Sequence, residues 1–258
     1  MGTCAKIRWA VYNRPSLLKP ILADRHLNRT LTTTMLHNLI PRRSSIEIEC
    51  LGKLGEQKNA EHYKRHSEKE LFKLSNKYKI HSISFDYSFL HDKTDYCEHR
   101  ISIIGYRQLE GLFNVLEDMK RDCTLNNRSG CHIHIDLKPT IKRFKPYYKL
   151  CFYPGSKSSL IQKEKQLYRE LQTFMDKKLQ NGTISKILGV YAGQYPPICQ
   201  VGDKCSQINI RTNYKSIEFR TAPMTFDYHL IVTWFIKLNK LLNEFENCLD
   251  STLPKGES

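Results

Sequence analysis

Short segments in which apolar and polar residues strictly alternate constrain this chain more than any other feature. Residues 46–49 read Ile-Glu-Ile-Glu, and residues 132–136 read His-Ile-His-Ile-Asp. Successive side chains of a β-strand point to opposite faces, so this period of two predicts strands with one apolar and one polar face. Alternation predicts strands in six segments: 45–50, 82–88, 98–103, 131–136, 207–211 and 216–220. The last two are predicted to form a hairpin through residues 212–215.

Four other segments carry apolar residues at helical spacing and predict amphipathic helices. They span residues 59–78, 107–122 and 158–182, with a fourth helix that begins at Asp227 as its N-cap. Helices of this kind bury one apolar stripe, and a sheet with one apolar face needs such a cover. The sequence therefore predicts an α+β fold in which a mainly antiparallel sheet is covered by helices on its apolar side.

The polar face of the predicted sheet has an unusual composition. It is rich in carboxylates, imidazoles and guanidinium groups, at Glu47, Glu49, Asp86, Glu98, Arg100, His132, His134, Asp136, Asn209, Arg211, Glu218 and Arg220. Carboxylates on neighbouring strands repel one another unless a cation or an arginine offsets their charge. The pattern therefore predicts a bound ion, and its hard oxygen donors favour Mg²⁺ or Mn²⁺ over Zn²⁺.

The spacing within this face suggests phosphoryl chemistry. The two carboxylates of Glu47 and Glu49 project in parallel and could be divided between two ions that clamp phosphate oxygens. Arg220, two residues from Glu218 on the same face, could neutralise a transferring phosphoryl group.

The positive charge of the chain indicates a polyanion as one candidate partner. The net charge is +15, and residues 1–43 carry many Lys and Arg residues against the single acidic residue Asp24. Basic and aromatic residues also interleave over 138–158, a pattern typical of nucleic-acid contacts or of a basic loop with core aromatics. Nine cysteines form no CxxC pair, and no apolar run reaches the length of a membrane span, so a reducing, cytoplasmic location without membrane contact is expected.

In chain order, "SIEIE", "FDYS", "EHRIS", "SGCHIHID" and "NIRTNYKSIEFRT" resemble the motifs of the amidoligases, relatives of glutamine synthetase and glutamate-cysteine ligase. The resemblance covers residues 44–242 and departs from the family pattern at Ser45 and in "IIGYRQ". It implies an ATP-dependent carboxylate-amine ligase with a curved, half-barrel sheet of the glutamine synthetase type and helices on its convex face. Residues 1–43 would be a basic extension, 44–250 the catalytic domain and 251–258 a tail.

The resemblance also implies roles for individual residues. Glu47, His132 and Glu218 would hold one Mg²⁺ or Mn²⁺ ion, and Glu49 with Glu98 another. Arg220 would stabilise the transferred phosphoryl group, and Asp86 would order the site or bind the amine. The nucleotide would be contacted by His134, Asn209, Arg211 and Arg220.

Two alternative functions remain open from the sequence. One is a basic module that binds nucleic acid or an assembly on a degenerate ligase scaffold. The other is a metal-dependent hydrolase in which His132, His134 and Asp136 hold zinc. The acid and amine substrates and the oligomeric state are not indicated by any motif.

Overall fold

The alternating segments form one open sheet in the computed structural model. The structure describes residues 39–54, 67–86, 96–125, 130–144, 147, 158–189, 196–202 and 206–252, without the side chains of residues 86, 96 and 158–163. The strands are β1 (Ser44–Leu51), β2 (Ser82–Asp86), β3 (Tyr96–Ile103), β4 (Cys131–Asp136), β5 (Cys199–Val201), β6 (Ile208–Arg211) and β7 (Ser216–Phe219). Their order is β2-β3-β1-β4-β7-β6-β5, and only the β5–β6 pair is parallel. The prediction of a mainly antiparallel sheet in an α+β fold is confirmed.

Helices cover the apolar side of this sheet. They are α1 (Glu68–Tyr78), α2 (Leu109–Asp122), α3 (Lys138–Phe144), α4 (Ser158–Gln180), α5 (Thr183–Leu188) and α6 (Tyr228–Thr252). Of the first predicted helix, residues 68–78 are helical, and residues 59–66 lie outside the described residues. The predicted helices at 107–122 and 158–182 correspond to α2 and α4, with residues 106–108 forming a 3₁₀ turn before α2.

The helix starts follow local capping chemistry. Ser67 and Glu70 form a reciprocal capping box at the start of α1, which satisfies amide groups that have no partner inside the helix. Asp227 accepts a hydrogen bond from the Leu230 amide at 3.0 Å, which confirms it as the N-cap of α6. The spacing of apolar residues did not predict α3 and α5, because six or seven residues are too few to display a helical period.

The apolar core lies between the sheet and the helices. The inward strand residues include Ile46, Ile48, Ile101, Ile133, Ile135, Ile208, Ile210 and Ile217, all with no exposed surface. Leu112 and Leu116 of α2, Leu171 of α4, and Trp234 and Leu238 of α6 pack in the same cluster. Leu39 and Ile40 belong to this core as well, so its packing extends N-terminal to residue 43.

Part of the basic and aromatic segment 138–158 is a structural element. Phe144 at the end of α3 is fully buried, and the Arg143 guanidinium lies over its ring. Arg143 also forms ion pairs with Glu246 and Asp250 of α6. Residues 145–146 and 148–157 lie outside the described residues, so the predicted polyanion surface in that stretch stays a prediction.

No described helix combines the length and the apolar character needed to cross a lipid bilayer.

Candidate metal and phosphoryl-transfer site

The strand register assembles the polar residues into rows across the polar face of the sheet. In the first row, Glu47 of β1 lies opposite Arg100 of β3 and His132 of β4. In the second row, Glu218 of β7 lies opposite His134 of β4 and Asn209 of β6. The third row contains three acidic residues, Glu49, Glu98 and Asp86. Residues that are far apart in sequence therefore share one surface because of antiparallel pairing.

Glu47 is the centre of the site. Its Oε1 lies 3.0 Å from His132 Nδ1, and its Oε2 lies 3.0 Å from His134 Nε2. Its Oε2 also receives an ion pair from Arg100. Glu47 is only 4% exposed, so these three contacts replace the water that a carboxylate would otherwise bind.

Glu218 occupies the other side of the two imidazoles. Its Oε1 lies 3.6 Å from His132 Nδ1 and accepts a hydrogen bond from Arg220 at 2.8 Å. Its Oε2 accepts a hydrogen bond of 3.0 Å from the Asn209 amide. Burial opposes ionisation of Glu218, but the surrounding groups, His134 where it is protonated and the permanently charged Arg220 and Arg211, hold the pKa of this carboxyl below its usual value.

Both imidazoles are neutral at physiological pH. Burial, reinforced by the positive charge of Arg220, lowers the pKa of His132 to about 4. Burial also holds the pKa of His134 well below its usual value. Arg220 therefore supplies the permanent positive charge beside Glu218. A neutral imidazole is the form that ligates a metal ion.

A glycine makes room for the carboxylate of Glu49. A Cβ placed on Gly130 would lie 2.6 Å from Glu49 Oε2, closer than real side chains approach. The Gly130 carbonyl also accepts a hydrogen bond from the Glu49 amide at 2.9 Å. The glycine before "CHIHID" thus has a steric reason, because any side chain at residue 130 would displace the Glu49 carboxylate.

Two groups of side chains on this face could each hold an ion. One consists of Glu47, His134 and Glu218, and the other of Glu47, Glu49 and His132; within each group the ligand atoms lie within 4.8 Å of one another. Glu47 belongs to both groups and could bridge two ions. This partition differs from the one the resemblance implies, since His134 approaches a metal group and Glu98 belongs to neither group.

The other predicted site residues have varied surroundings. The side-chain amide of Asn209 donates a hydrogen bond to Glu218. The Arg211 guanidinium lies 4.0 Å from the Glu218 carboxylate and over the Tyr214 ring. Asp86 is opposite Glu98 in the register, but its side chain lies outside the described residues. Asp136 accepts a hydrogen bond from the Lys138 amide at the start of α3 and is in neither metal group of this face.

Arg100 is the member of the site whose role the sequence did not indicate. Its guanidinium pairs with Glu47 and lies 3.5 Å from Glu98 Oε1, between carboxylates predicted to bind metal. Alternation placed Arg100 on the polar face, but only the register shows that it lies directly beside Glu47. The Arg100 side chain is one-third exposed, so part of it reaches solvent.

The donor set fits a hard divalent cation. Each of the two groups on this face combines carboxylate oxygens with one imidazole nitrogen, and their ligand atoms lie close enough together to share one ion. Asn209 Oδ1 is buried and has no hydrogen-bond partner within the described residues, which leaves one more oxygen donor at the site.

The sequence matches no protein-family model, and it matches no curated protein.

Proposed function

We propose that the protein is an ATP- and Mg²⁺-dependent carboxylate-amine ligase, with a sheet of the curved glutamine synthetase type. The observation that carries this proposal is the convergence of Glu47, Glu49, His132 and Glu218 on one face, with Glu47 shared between two potential ion sites. A pair of ions held by shared carboxylates is suited to phosphoryl transfer. The order of the motifs along the chain supports the same reaction class.

In the proposed reaction, a carboxylate oxygen of the substrate attacks the γ-phosphorus of ATP, and ADP leaves. The nitrogen of an amine then attacks the acyl carbon, inorganic phosphate leaves, and the amine loses a proton to give the amide. Bound Mg²⁺ would neutralise charge on the phosphate oxygens. Glu47, Glu49, His132, His134 and Glu218 are the residues that would hold it.

The guanidinium groups would position the phosphates. Arg220 donates a hydrogen bond to Glu218 and would also contact the transferring phosphoryl group. Because Glu218 fixes Arg220, little reorganisation would be needed when charge develops in the transition state. Arg211 would contact the nucleotide from the adjacent strand.

Hydroxylamine tests the proposal, because it traps acyl phosphates as hydroxamates. The protein, ATP, Mg²⁺ and hydroxylamine would be incubated with panels of amino acids, dicarboxylates and peptides, and ADP and hydroxamate would be measured. We expect equimolar ADP and hydroxamate with the correct acid. Glu47→Gln and Glu218→Gln should each reduce this rate by at least about 100-fold, because each removes one charged ligand.

Glu117→Gln is the matched control, since Glu117 is an exposed residue of α2 paired only with Lys120 among its described contacts. The rate of hydroxamate formation by Glu117→Gln should equal that of the wild type.

The same incubation with cell extract should yield a product lighter than its two reactants by one water. A rate of ATP consumption that stays unchanged in both Glu47→Gln and Glu218→Gln would refute the proposal. Salt-sensitive nucleic-acid binding without ATP turnover would favour the binding module instead.

A further inference from the structure

A second cluster of ligating side chains lies on the apolar side of the sheet. Cys50 is near the end of β1, His99 is in β3, and Cys123 directly follows α2. One ligand atom from each of these residues lies within 4.8 Å of the other two. All three are buried, with exposures of 0%, 0% and 3%. Strand alternation separates this cluster from the carboxylate face, because His99 falls between Glu98 and Arg100.

The backbone fixes the three segments to each other. Leu51 and Thr124 exchange two hydrogen bonds, of 2.9 and 2.7 Å, which join the end of β1 to the residue after Cys123. Cys50 is opposite Cys97 in the register of β1 and β3, so Cys97 brings another buried thiol to the same side of the sheet. The cluster is thus built on paired strands and a helix end.

We propose that Cys50, His99 and Cys123 supply three of the ligands of a buried zinc site. Thiolate and imidazole groups are the donor set that Zn²⁺ prefers. The distance from His99 Nδ1 to Cys50 Sγ is 3.4 Å. Adjacent nitrogen and sulfur ligands of a tetrahedral zinc ion are separated by about 3.5 Å, given bonds of about 2.0 and 2.3 Å.

The burial of Cys50 and Cys123 favours a zinc site over a redox-active pair of thiols. Reactive cysteines need access to an oxidant, whereas a structural zinc ion is acquired during folding and is then enclosed. Two thiolates also neutralise the ion, so the occupied cluster adds no net charge to the core.

The hydrogen bonds of His99 show which groups must move when zinc binds. His99 Nε2 accepts a hydrogen bond from the Leu54 amide at 3.1 Å, and His99 Nδ1 lies 3.2 Å from the Cys97 carbonyl, to which it donates its proton. Zinc at Nδ1 would displace that proton, place one on Nε2 and turn the Leu54 amide away. Zinc–thiolate binding is much stronger than one neutral hydrogen bond and outweighs this loss.

Metal content of the full-length protein tests the site. Protein expressed with added zinc and passed through a chelating column should retain about one zinc ion per chain. Cys50→Ser and Cys123→Ser should lose it. Cys199→Ser removes a buried cysteine of β5 and should retain it. Glu47→Gln should also retain it, which separates this ion from the carboxylate face and from the ligase proposal.

Two measurements on the wild-type protein keep the test valid if the serine variants fail to fold. Cobalt substitution should give the intense near-ultraviolet absorption of cobalt–thiolate bonds. A mercurial thiol reagent should release zinc in step with cysteine modification. Free thiols with no retained metal, or a Cys50–Cys123 disulfide in protein prepared without reductant, would overturn the assignment.

Discussion

At the scale of single residues, Glu47 is the centre of the polar face, because it belongs to both candidate ion groups there. Two neutral imidazoles and one guanidinium contact its two oxygens. The Arg100 contact uses an oxygen that an ion would also need. Arg100 therefore stabilises the metal-free carboxylates and competes with the cation for Glu47.

Replacing Arg100 with Met tests this competition. The change removes the positive charge beside Glu47 and Glu98, so affinity for Mn²⁺ should rise about tenfold, while the metal-free protein should become less stable. Titration followed by electron paramagnetic resonance of free Mn²⁺ measures the first effect, and urea unfolding in chelator measures the second. Arg121→Met, at an exposed arginine of α2, should change neither. Weaker Mn²⁺ binding by Arg100→Met would instead show that Arg100 supports the ion.

Acid should destabilise the metal-free protein through its buried histidines. The pKa of His132 is about 4 in the folded protein, against an ordinary value of 6.5. Between these values the unfolded chain binds a proton that the folded chain does not, so stability falls as pH falls from 6.5 to 4. His132 alone should account for about 3 kcal/mol of this loss. Urea unfolding in chelator at several pH values should show a shallower slope for His132→Gln, and equal slopes would contradict the assignment.

At the scale of elements, the period of two was enough to predict six strands and the face on which each side chain lies. It could not predict which strands are neighbours, since alternation specifies a face and not a partner. The contact between Arg100 and Glu47 therefore became visible only with the β1–β3 register. The edge strand β5 was missed because its three residues are too few to display a period.

The start of β4 provides an element-scale prediction. In Gly130→Ala, the new methyl group would displace the flexible carboxylate of Glu49 and leave the strand backbone in place. We expect the unfolding free energy to change by less than about 1 kcal/mol, because Gly→Ala restricts the unfolded chain and offsets local crowding. Mn²⁺ affinity should fall about tenfold, the size typical of a disturbed ligand orientation. Glu49→Gln should weaken Mn²⁺ binding too; unchanged binding in Gly130→Ala would contradict the steric role.

At the scale of the whole molecule, Glu246 of α6 joins parts of the chain that are distant in sequence. Its carboxylate accepts hydrogen bonds from Arg42, ahead of β1, and from Thr140 and Arg143 of α3. Arg42 is only 4% exposed, so its charge depends on this partner. Arg42, just ahead of β1, is thereby anchored to one of the helices that cover the sheet.

Replacing Glu246 with Gln should strongly destabilise the fold. The change leaves the buried Arg42 guanidinium without its counterion, which typically costs about 3 to 5 kcal/mol. Urea unfolding would measure the loss. Glu117→Gln, which breaks an exposed ion pair on α2, should change stability by less than about 1 kcal/mol. A similar small effect for Glu246→Gln would mean that Arg42 reaches solvent.

The order of the strands keeps the candidate site away from local unfolding at the edges of the sheet. Glu47, His132 and Glu218 belong to β1, β4 and β7, the three innermost strands, while β2 and β5 form the two borders. Fraying begins at borders, where strands lack a neighbour on one side. Transient opening there would leave Glu47, His132 and Glu218 together, so evolution can reshape either edge of the sheet while the candidate site in the middle is preserved.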